Sequence, residues 1–211
     1  MRRKQKFENL VFTLVAKIGQ YYPSDEEAWI ECHSLSYLDS IYFDELVKAK
    51  PRYESPSVEL VGILDDKIVG ILDIEIEQES GQFCFDENER SGMVAVIGVL
   101  SLHRRKGIGT KLIEKGMELV QKNYDVHRIE IWVREDPGII SWLKQIQFQE
   151  IHRFYEVVLT NDFFEKHEID LPFGIMPIFL TGNLESKGFT KLTQQHPPER
   201  SFPILIYERY F

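Results

Sequence analysis

A basic turn that contains two glycines joins an apolar segment to an amphipathic segment within residues 99–110. Gly107 and Gly109 have no side chain, so the backbone can turn sharply there and come close to a ligand. If a helix begins at this turn, its first amides are free and point at that ligand, with the positive end of the helix dipole behind them. The turn also carries three cationic side chains, those of Arg104, Arg105 and Lys106. Together these features predict a binding site for a diphosphate group.

The residues after the turn have the period of an amphipathic helix. One face collects apolar residues and a glycine, namely Ile108, Leu112, Ile113, Gly116, Leu119 and Val120. The opposite face collects charged and amide side chains, namely Lys111, Glu114, Lys115, Glu118, Gln121 and Lys122. This separation favours a structured anion site at the start of a helix over a basic loop.

The spacing of the glycines excludes the two common phosphate-binding motifs. A Walker A loop needs Lys and a hydroxyl residue after its last glycine, and a dinucleotide fingerprint needs a third glycine where Leu112 stands. The remaining pattern, Arg104-x-x-Gly107-x-Gly109, resembles the R/Q-x-x-G-x-G/A signature of the GNAT acetyltransferase superfamily. The resemblance implies that the turn binds the pyrophosphate of acetyl-CoA and that residues 96–100 form the strand that pairs with the pantetheine arm. The alternative is a basic surface turn ahead of an ordinary helix.

A second signature of the same family resembles residues 136–148, which follow another apolar segment. Asp136 stands where the family commonly has an asparagine that contacts the cofactor, although a helix N-cap before Pro137 is an equally good role for it. Leu143 stands in the place of the tyrosine that usually protonates the departing thiolate. The cofactor-binding residues that the resemblance implies are Ile97, Gly98, Val99, Arg104, Arg105, Lys106, Gly107, Ile108, Gly109, Thr110, Asp136 and Trp142.

The predicted order of elements is the order expected of a GNAT fold. The sequence predicts a first strand at 12–18, a helix opened by a capping box of Ser24 and Glu27, and a short helical piece at 42–48. The further predicted elements are a hairpin of 58–64 and 67–77, a loop at 78–92, a strand at 93–100, the amphipathic helix, a strand at 128–134, a helix at 137–147, and strands at 151–159 and 202–210. The predicted fold class is therefore α/β (α+β), a GNAT-like mixed and largely antiparallel central sheet flanked by helices.

Length and composition set further expectations. A chain of 211 residues suits a single domain, 1–211, with residues 160–201 inserted between the last two strands. The insertion is expected to pack over the sheet or to form a homodimer contact, with acceptor recognition as the alternative. Two cysteines without partners at metal-ligand spacing predict a reducing, cytoplasmic setting and no metal. No apolar run has the length of a membrane span.

The net charge of -9 argues against nucleic acid as a partner. It favours cations such as protonated amines, although a solvated acidic surface explains it equally well. Aromatic side chains at Trp29, Tyr37 and Tyr42 lie on helices that flank the acceptor cleft in the GNAT fold. We therefore expect them to shape an aromatic wall.

Acetyl transfer to an amine needs a base, because a lysine-like amine is neutral in roughly one molecule in 2,500 at pH 7, a penalty of about 4.6 kcal/mol. The strand at 93–100 contains no ionisable residue. The neighbouring run places Asp73, Glu75 and Glu77 on one strand face with period 2. We predict Glu75 and Glu77 as the catalytic candidates, with a solvated strand face as the alternative.

The sequence thus predicts an N-acetyltransferase that moves an acetyl group from acetyl-CoA directly to a primary amine of a small molecule or a peptide. Leu143 and the absence of a base from the strand at 93–100 favour an alternative, a non-catalytic CoA-binding module with a regulatory or scaffolding role. A structural interaction protein that uses the long insertion is a third interpretation. Thioester cleavage with a panel of amines separates the first two.

Overall fold

The computed structural model of the protein describes residues 16–158, 179–182 and 200–211. The described strands are β1 (Lys17–Gln20), β2 (Ser57–Leu64), β3 (Lys67–Ile76), β4 (Gly92–Val99), β5 (Arg128–Arg134), β6 (Gln149–Val158), β7 (Phe179–Gly182) and β8 (Arg200–Tyr210). The described helices are α1 (Glu26–Leu38), α2 (Ile108–Tyr124) and α3 (Pro137–Gln145), with single 3-10 turns at Pro23–Asp25 and Ser101–His103. None of the described helices is long and apolar enough to cross a membrane.

The strands form one sheet in the order β1-β2-β3-β4-β5-β8-β6-β7. The β4–β5 pair is parallel, and the other described pairs are antiparallel. This arrangement confirms the predicted mixed, largely antiparallel sheet. Within the predicted insertion, β7 pairs with β6, while the helical segment expected near residues 161–167 lies outside the described residues.

The two faces of the sheet carry different helices. The apolar face of α2 packs on one side, where Leu112 and Ile113 are fully buried against Leu72 and Ile74 of β3. On the other side, Trp29 and Cys32 of α1 pack against Ile71. Because side chains alternate along a strand, the α1 side of β3 also carries Asp73, Glu75 and Glu77.

Several predicted elements agree closely with the structure, and others do not. The hairpin turn at Asp65 and Asp66 has the positive φ angles, 50° and 59°, that favour the right-handed twist of paired strands. The proposed capping box at Ser24 is wrong: α1 begins at Glu26 with Asp25 as N-cap, and Ser24 lies in the preceding 3-10 turn that starts at Pro23. The first strand runs to Gln20, and residues 12–15 lie outside the described residues.

The helical piece predicted at residues 42–48 is also wrong, since this segment forms a turn followed by irregular chain. Tertiary contacts explain the difference. The hydroxyl of Tyr42 accepts a hydrogen bond from the Arg134 amide at 2.9 Å, and Arg134 Nη1 donates to the Ile41 carbonyl at 2.8 Å. These contacts hold the segment against β5 and override a local helical preference.

The strands β4 and β5 diverge, and this divergence creates a gap in the sheet. Their pairing is confined to Gly92 with Ile129 and Met93 with Glu130. Beyond that point, residues 94–99 and 131–134 form no pairs with each other, and we call the space between them the β4–β5 gap. A β-bulge lies beside it, because Asp73 pairs with Val96 and Ile74 with Val94, which leaves the intervening residue without a partner on β3.

Candidate active site

The start of α2 presents unpaired backbone amides at the end of β4. Gly107 is the N-cap in the left-handed conformation, φ 78°, and no side chain caps the first turn of the helix. A Cβ atom built on Gly107 would meet nothing within 4 Å, so the space beside this glycine is open. Residues 104–110, which we call the phosphate turn, therefore fit a phosphate group bound by helix amides.

A tryptophan from α3 packs on the phosphate turn. Trp142 Nε1 donates to Thr110 Oγ1 at 3.0 Å, and a Cβ atom built on Gly109 would lie 3.4 Å from Trp142 Cζ2. Asp136 caps α3, since its Oδ1 accepts hydrogen bonds from the amides of Gly138 and Ile139 at 2.8 and 2.9 Å. The N-cap role weighed for Asp136 from the sequence is thus present, and its contact with a cofactor stays a prediction.

The cations of the phosphate turn have different surroundings. Arg104 donates from Nε to the Val99 carbonyl at 3.0 Å, and its two Nη atoms donate to the carbonyls of Asp39 and Ser36 at 3.0 and 2.8 Å. Arg104 therefore ties the turn to the last turn of α1. Arg105 and Lys106 are exposed, and Lys106 donates to the Leu102 carbonyl at 2.8 Å.

The predicted strand residues line the two sides of β4. Gly98 faces α1 so closely that an added Cβ would lie 2.5 Å from Ser36 Oγ, so only glycine fits there. Ile97 and Val99 pack against the core on the α2 side. The amide of Ile97 lies near the hydroxyl of Tyr37 and lowers its pKa, and the Leu100 amide donates to the Val69 carbonyl of β3 at 3.0 Å. Successive amides alternate in direction along a strand, so the Ile97 amide faces the β4–β5 gap.

The aromatic residues of α1 and the segment that follows it form a continuous row on the α1 side of the sheet. The ring centroids of Trp29 and His33 lie 5.2 Å apart, those of His33 and Tyr37 lie 4.0 Å apart, and those of Tyr37 and Tyr42 lie 5.7 Å apart. The three predicted aromatic residues thus lie in one row, in which Trp29 is fully buried in the core, and their role as a wall of an acceptor cleft stays a prediction. Burial raises the pKa of both tyrosines and lowers the pKa of His33.

The three carboxylates predicted on one face of β3 and just beyond its end, which we call the acidic face, have three different environments. Glu77 is fully buried, and its carboxylate accepts hydrogen bonds from the amides of Phe83, Cys84 and Ser91 at 2.8 to 3.0 Å. Those donors belong to the loop between β3 and β4, so Glu77 holds that loop in place. Its carboxylate has no open side from which to take a proton from an acceptor.

Asp73 belongs to a buried ion pair. Lys50 Nζ lies 2.7 Å from Asp73 Oδ2 and 2.7 Å from Glu59 Oε2, and the Tyr53 hydroxyl donates to Asp73 at 3.0 Å. The rings of Tyr21, Trp29 and Tyr53 surround the same ammonium at 4.7 to 5.3 Å. Burial raises the pKa of Asp73 despite this cation, and the two carboxylates raise the pKa of Lys50. No sequence pattern pointed to Lys50, because a lone lysine in a polar segment has the appearance of a surface residue.

Glu75 differs from both of these carboxylates. It is half-buried, and within the described residues no hydrogen bond or ion pair engages it. It pairs across β3 and β4 with Met93, which is also the last residue of β4 to pair with β5. Glu75 therefore lies on the α1 side at the closed end of the β4–β5 gap, and it is the member of the acidic face that is available to accept a proton.

Comparisons with known proteins agree with this geometry. The model of the Acetyltransferase (GNAT) family matches residues 20–143, which is more than half of the chain. The chain belongs to the GNAT family. No functionally curated protein matches the sequence.

Solved GNAT structures share the fold at low sequence identity. The ribosomal-protein-S18-alanine N-acetyltransferase of Escherichia coli is 12% identical with a TM-score of 0.57, covering 92% of this chain and 93% of the other. A ribosomal-protein-alanine N-acetyltransferase of Brucella melitensis is 13% identical with a TM-score of 0.56, covering 92% and 99%. A putative acetyltransferase of Salmonella typhimurium, solved with acetyl-CoA, is 12% identical with a TM-score of 0.57, covering 92% and 93%.

Leu143, at the position of the usual GNAT tyrosine, is a core residue in this chain. Leu143 is 0% exposed and packs in the core with Leu112 and Phe148. Its side chain thus does not line the β4–β5 gap, and a tyrosine at this position would overpack the core. Any proton donor for a leaving thiolate must come from another element of this GNAT protein.

Proposed function

We propose that the protein is an N-acetyltransferase that moves the acetyl group of acetyl-CoA directly to a primary amine. The observation that carries the proposal is the β4–β5 gap, which runs from the free carboxylate of Glu75 to the open phosphate turn. The α2 amides, with Arg105 and Lys106, would hold the pyrophosphate. The backbone of residues 97–99 would hold the pantetheine arm. Acetyl-CoA supplies the thioester, whose carbonyl is activated toward an amine.

The residues of this chain divide the remaining tasks. Glu75 would accept a proton from the acceptor ammonium, directly or through a water molecule, and so leave a neutral nitrogen. An amide on the inner edge of β4 would donate to the carbonyl oxygen as negative charge develops there. Asp136 and Trp142 would complete the site by fixing the start of α3 against the phosphate turn. No metal is needed for these steps, and a direct transfer requires no nucleophilic side chain.

The acceptor is an amine that is cationic before it reacts. The carboxylates of Glu59, Asp73 and Glu75 lie on the α1 side of the sheet, and Lys50 partners the first two. The unpartnered Glu75, together with the net charge of -9, favours a cation at this end of the gap. The names of the two ribosomal-protein alanine N-acetyltransferases among the structural neighbours make a peptide with an amino-terminal alanine a reasonable member of an acceptor panel.

A non-catalytic CoA-binding module is the second candidate function. The burial of Leu143 favours it, because the side chain at this position cannot reach a leaving thiolate. Expulsion of a thiolate whose thiol has an ordinary pKa near 8.5 nevertheless costs only about 2 kcal/mol at pH 7. Loss of the usual acid therefore need not abolish turnover.

We test the two functions with one pair of measurements. Calorimetry gives the affinity for acetyl-CoA, and release of free thiol in the presence of a polyamine, a lysine peptide or an alanine-ended peptide gives turnover. Binding with amine-dependent thiol release supports the transferase. Binding of acetyl-CoA without thiol release for any acceptor supports the CoA-binding module. Absence of acetyl-CoA binding overturns both proposed functions.

The setting and assembly of the protein are also proposals. Cys32 and Cys84 are free and buried, which suits a reducing cytoplasmic compartment. A single domain covering 1–211, and a homodimer contact through residues 160–201, remain predictions. Sedimentation of the full chain tests the dimer.

A further inference from the structure

Two tyrosine hydroxyls lie at the β4–β5 gap, that of Tyr42 near β5 and that of Tyr37 near β4. The Tyr42 hydroxyl accepts from the amide of Arg134 at 2.9 Å, at the end of β5. The next amide, that of Glu135, donates to the Pro203 carbonyl at 2.9 Å on the β8 side. Successive amides alternate in direction along a strand, so the Arg134 amide faces away from β8 and into the gap. The Tyr37 hydroxyl lies near the Ile97 amide of β4, which opposes the rise in its pKa.

The bond to Arg134 leaves the Tyr42 proton available. A phenol hydroxyl that accepts from an amide still has its own O–H to donate. Burial raises the pKa of Tyr42, so the group is protonated at neutral pH, while the amide and the guanidinium of Arg134 oppose that rise. The guanidinium carbon lies 5.4 Å from the centre of the Tyr42 ring. This cationic neighbour itself pairs with Asp44 at 2.6 Å and with Glu45 at 3.0 Å, so the hydrogen bond from the Arg134 amide is the main contact that would stabilise a transient phenolate.

Tyr37 has less favourable surroundings for the same task. Burial raises the pKa of Tyr37, the negative charges of Glu45 and Asp73 raise it further, and the nearby amide of Ile97 opposes that rise. Its ring lies 5.7 Å from that of Tyr42. Tyr37 and Tyr42 thus lie side by side at the gap. Of the two, Tyr42 is the one with Arg134 beside its ring.

We propose that Tyr42 is the proton donor to the leaving thiolate, a role that rests on the proposed transferase function. As the bond from the acceptor nitrogen to the acetyl carbon forms, the carbon–sulfur bond breaks and its electron pair leaves on sulfur. Tyr42 donates its hydroxyl proton to that sulfur. Glu75, which has already passed the ammonium proton to water, takes the second proton that the nitrogen releases as the new bond forms. Water then returns a proton to Tyr42 and removes one from Glu75, so the cycle balances without an oxidant or a reductant. Arg134 acts as a positioning residue for Tyr42.

A binding measurement tests contact between Tyr42 and the sulfur without any turnover. Calorimetry at pH 8.5, where a thiol of ordinary pKa is about half ionised, compares CoA with desulfo-CoA, which lacks the sulfur. We expect the wild-type protein to bind CoA about two- to tenfold more tightly than desulfo-CoA, because a hydrogen bond to sulfur is lost in the analogue. Tyr42→Phe should abolish this preference, and Tyr210→Phe, a control at an exposed tyrosine at the end of β8, should retain it. No preference in the wild type, or an equal preference in Tyr42→Phe, overturns the proposal.

Kinetics provide the second test. Tyr42→Phe should lower kcat by about 100-fold or more at unchanged KM for acetyl-CoA, since a general acid typically contributes 10²- to 10⁴-fold. The control Tyr210→Phe should change kcat by less than about tenfold. Urea unfolding of both variants identifies any loss of folding. If Tyr42→Phe is unstable, difluorotyrosine at position 42 keeps the packing and lowers the phenol pKa.

The difluorotyrosine protein should lose activity at a lower pH than the wild type. The charged or titratable groups around Tyr42 are Asp44, Glu45, Arg134, Asp136 and Tyr37, and they are unchanged in this protein. An unshifted pH profile overturns the assignment. If wild-type protein does not bind acetyl-CoA at all, the proposed function fails; if it turns over and Tyr42→Phe is equally fast, only the role of Tyr42 fails.

Discussion

The Arg104 guanidinium donates a 2.8 Å hydrogen bond to the carbonyl of Ser36 in the last turn of α1. Arg104 is the first residue of the glycine signature, and the sequence alone suggests that it contacts phosphate. Its bonds to Ser36, Asp39 and Val99 instead join the phosphate turn to the helix that carries Tyr37. The exposed Arg105 is better placed to reach a phosphate group.

This relationship predicts opposite effects for two neighbouring arginines. Arg104→Ala should destabilise the protein by about 2 kcal/mol, because it removes charge-assisted hydrogen bonds from partly buried carbonyls. Its effect on acetyl-CoA affinity should be less than about tenfold. Arg105→Ala should leave stability within about 0.5 kcal/mol and weaken affinity by roughly ten- to a hundredfold. Urea unfolding measures the stability and calorimetry measures the affinity for acetyl-CoA. The reverse pattern would show that Arg104, and not Arg105, contacts the phosphate.

The contact between Gly109 and Trp142 predicts a sharp dependence on side-chain size. Gly109→Ala should bind acetyl-CoA within about threefold of wild type, because its Cβ would make an ordinary contact with the Trp142 ring. Gly109→Val should weaken affinity by about tenfold or more, because the branch displaces the ring and opens the bond to Thr110. Calorimetry of the two variants checks this order. Equal affinities would show that Trp142 does not shape the site.

Glu75 and Glu77 should respond differently to the same substitution. Glu75→Gln should lower the rate by about 10²-fold or more at neutral pH, with recovery as the pH approaches the pKa of the amine, and should not change stability. Glu77→Gln should destabilise the protein by about 1–3 kcal/mol because its charge no longer receives three amides, while the rate per folded molecule stays unchanged. A wild-type rate for Glu75→Gln from pH 6 to 10 would show that Glu75 is only a solvated residue of the strand face and not a base.

His33 should make stability depend on pH. Its ring is buried between Trp29 and Tyr37, and burial lowers its pKa. The unfolded chain therefore binds a proton more readily than the folded protein, so this contribution to stability is lost as the pH falls through the unfolded value near 6.5 and levels off below the folded pKa. The free energy of unfolding between pH 7.5 and 5.5 should fall less in His33→Phe than in wild type. The exposed His127→Gln is the matched control, and equal slopes for wild type and His33→Phe would contradict the assignment.

Much of the fold could be predicted because its signals are local. The helix at 108–124 has a strong apolar period, the β5 bounds of 128–134 were predicted without error, and the Asp65–Asp66 turn has its own backbone preference. The segment at 42–48 could not be predicted in the same way. Its conformation depends on Arg134, which is remote in sequence, and a local pattern contains no information about such a partner.

The sequence by itself determined the GNAT signature, the glycines that open the phosphate turn and the acidic face of β3, because each depends on residue type and short spacing. Only the tertiary structure decided which of those side chains remain available. Glu77 accepts hydrogen bonds from three loop amides, and Asp73 pairs with Lys50. Arg104 donates to the Ser36 carbonyl of α1, and Leu143 is buried in the core. Hydrogen-bond partners and burial arise from segments far apart in the chain, so no local pattern could distinguish Glu75 from its neighbours or place Tyr42 at the gap.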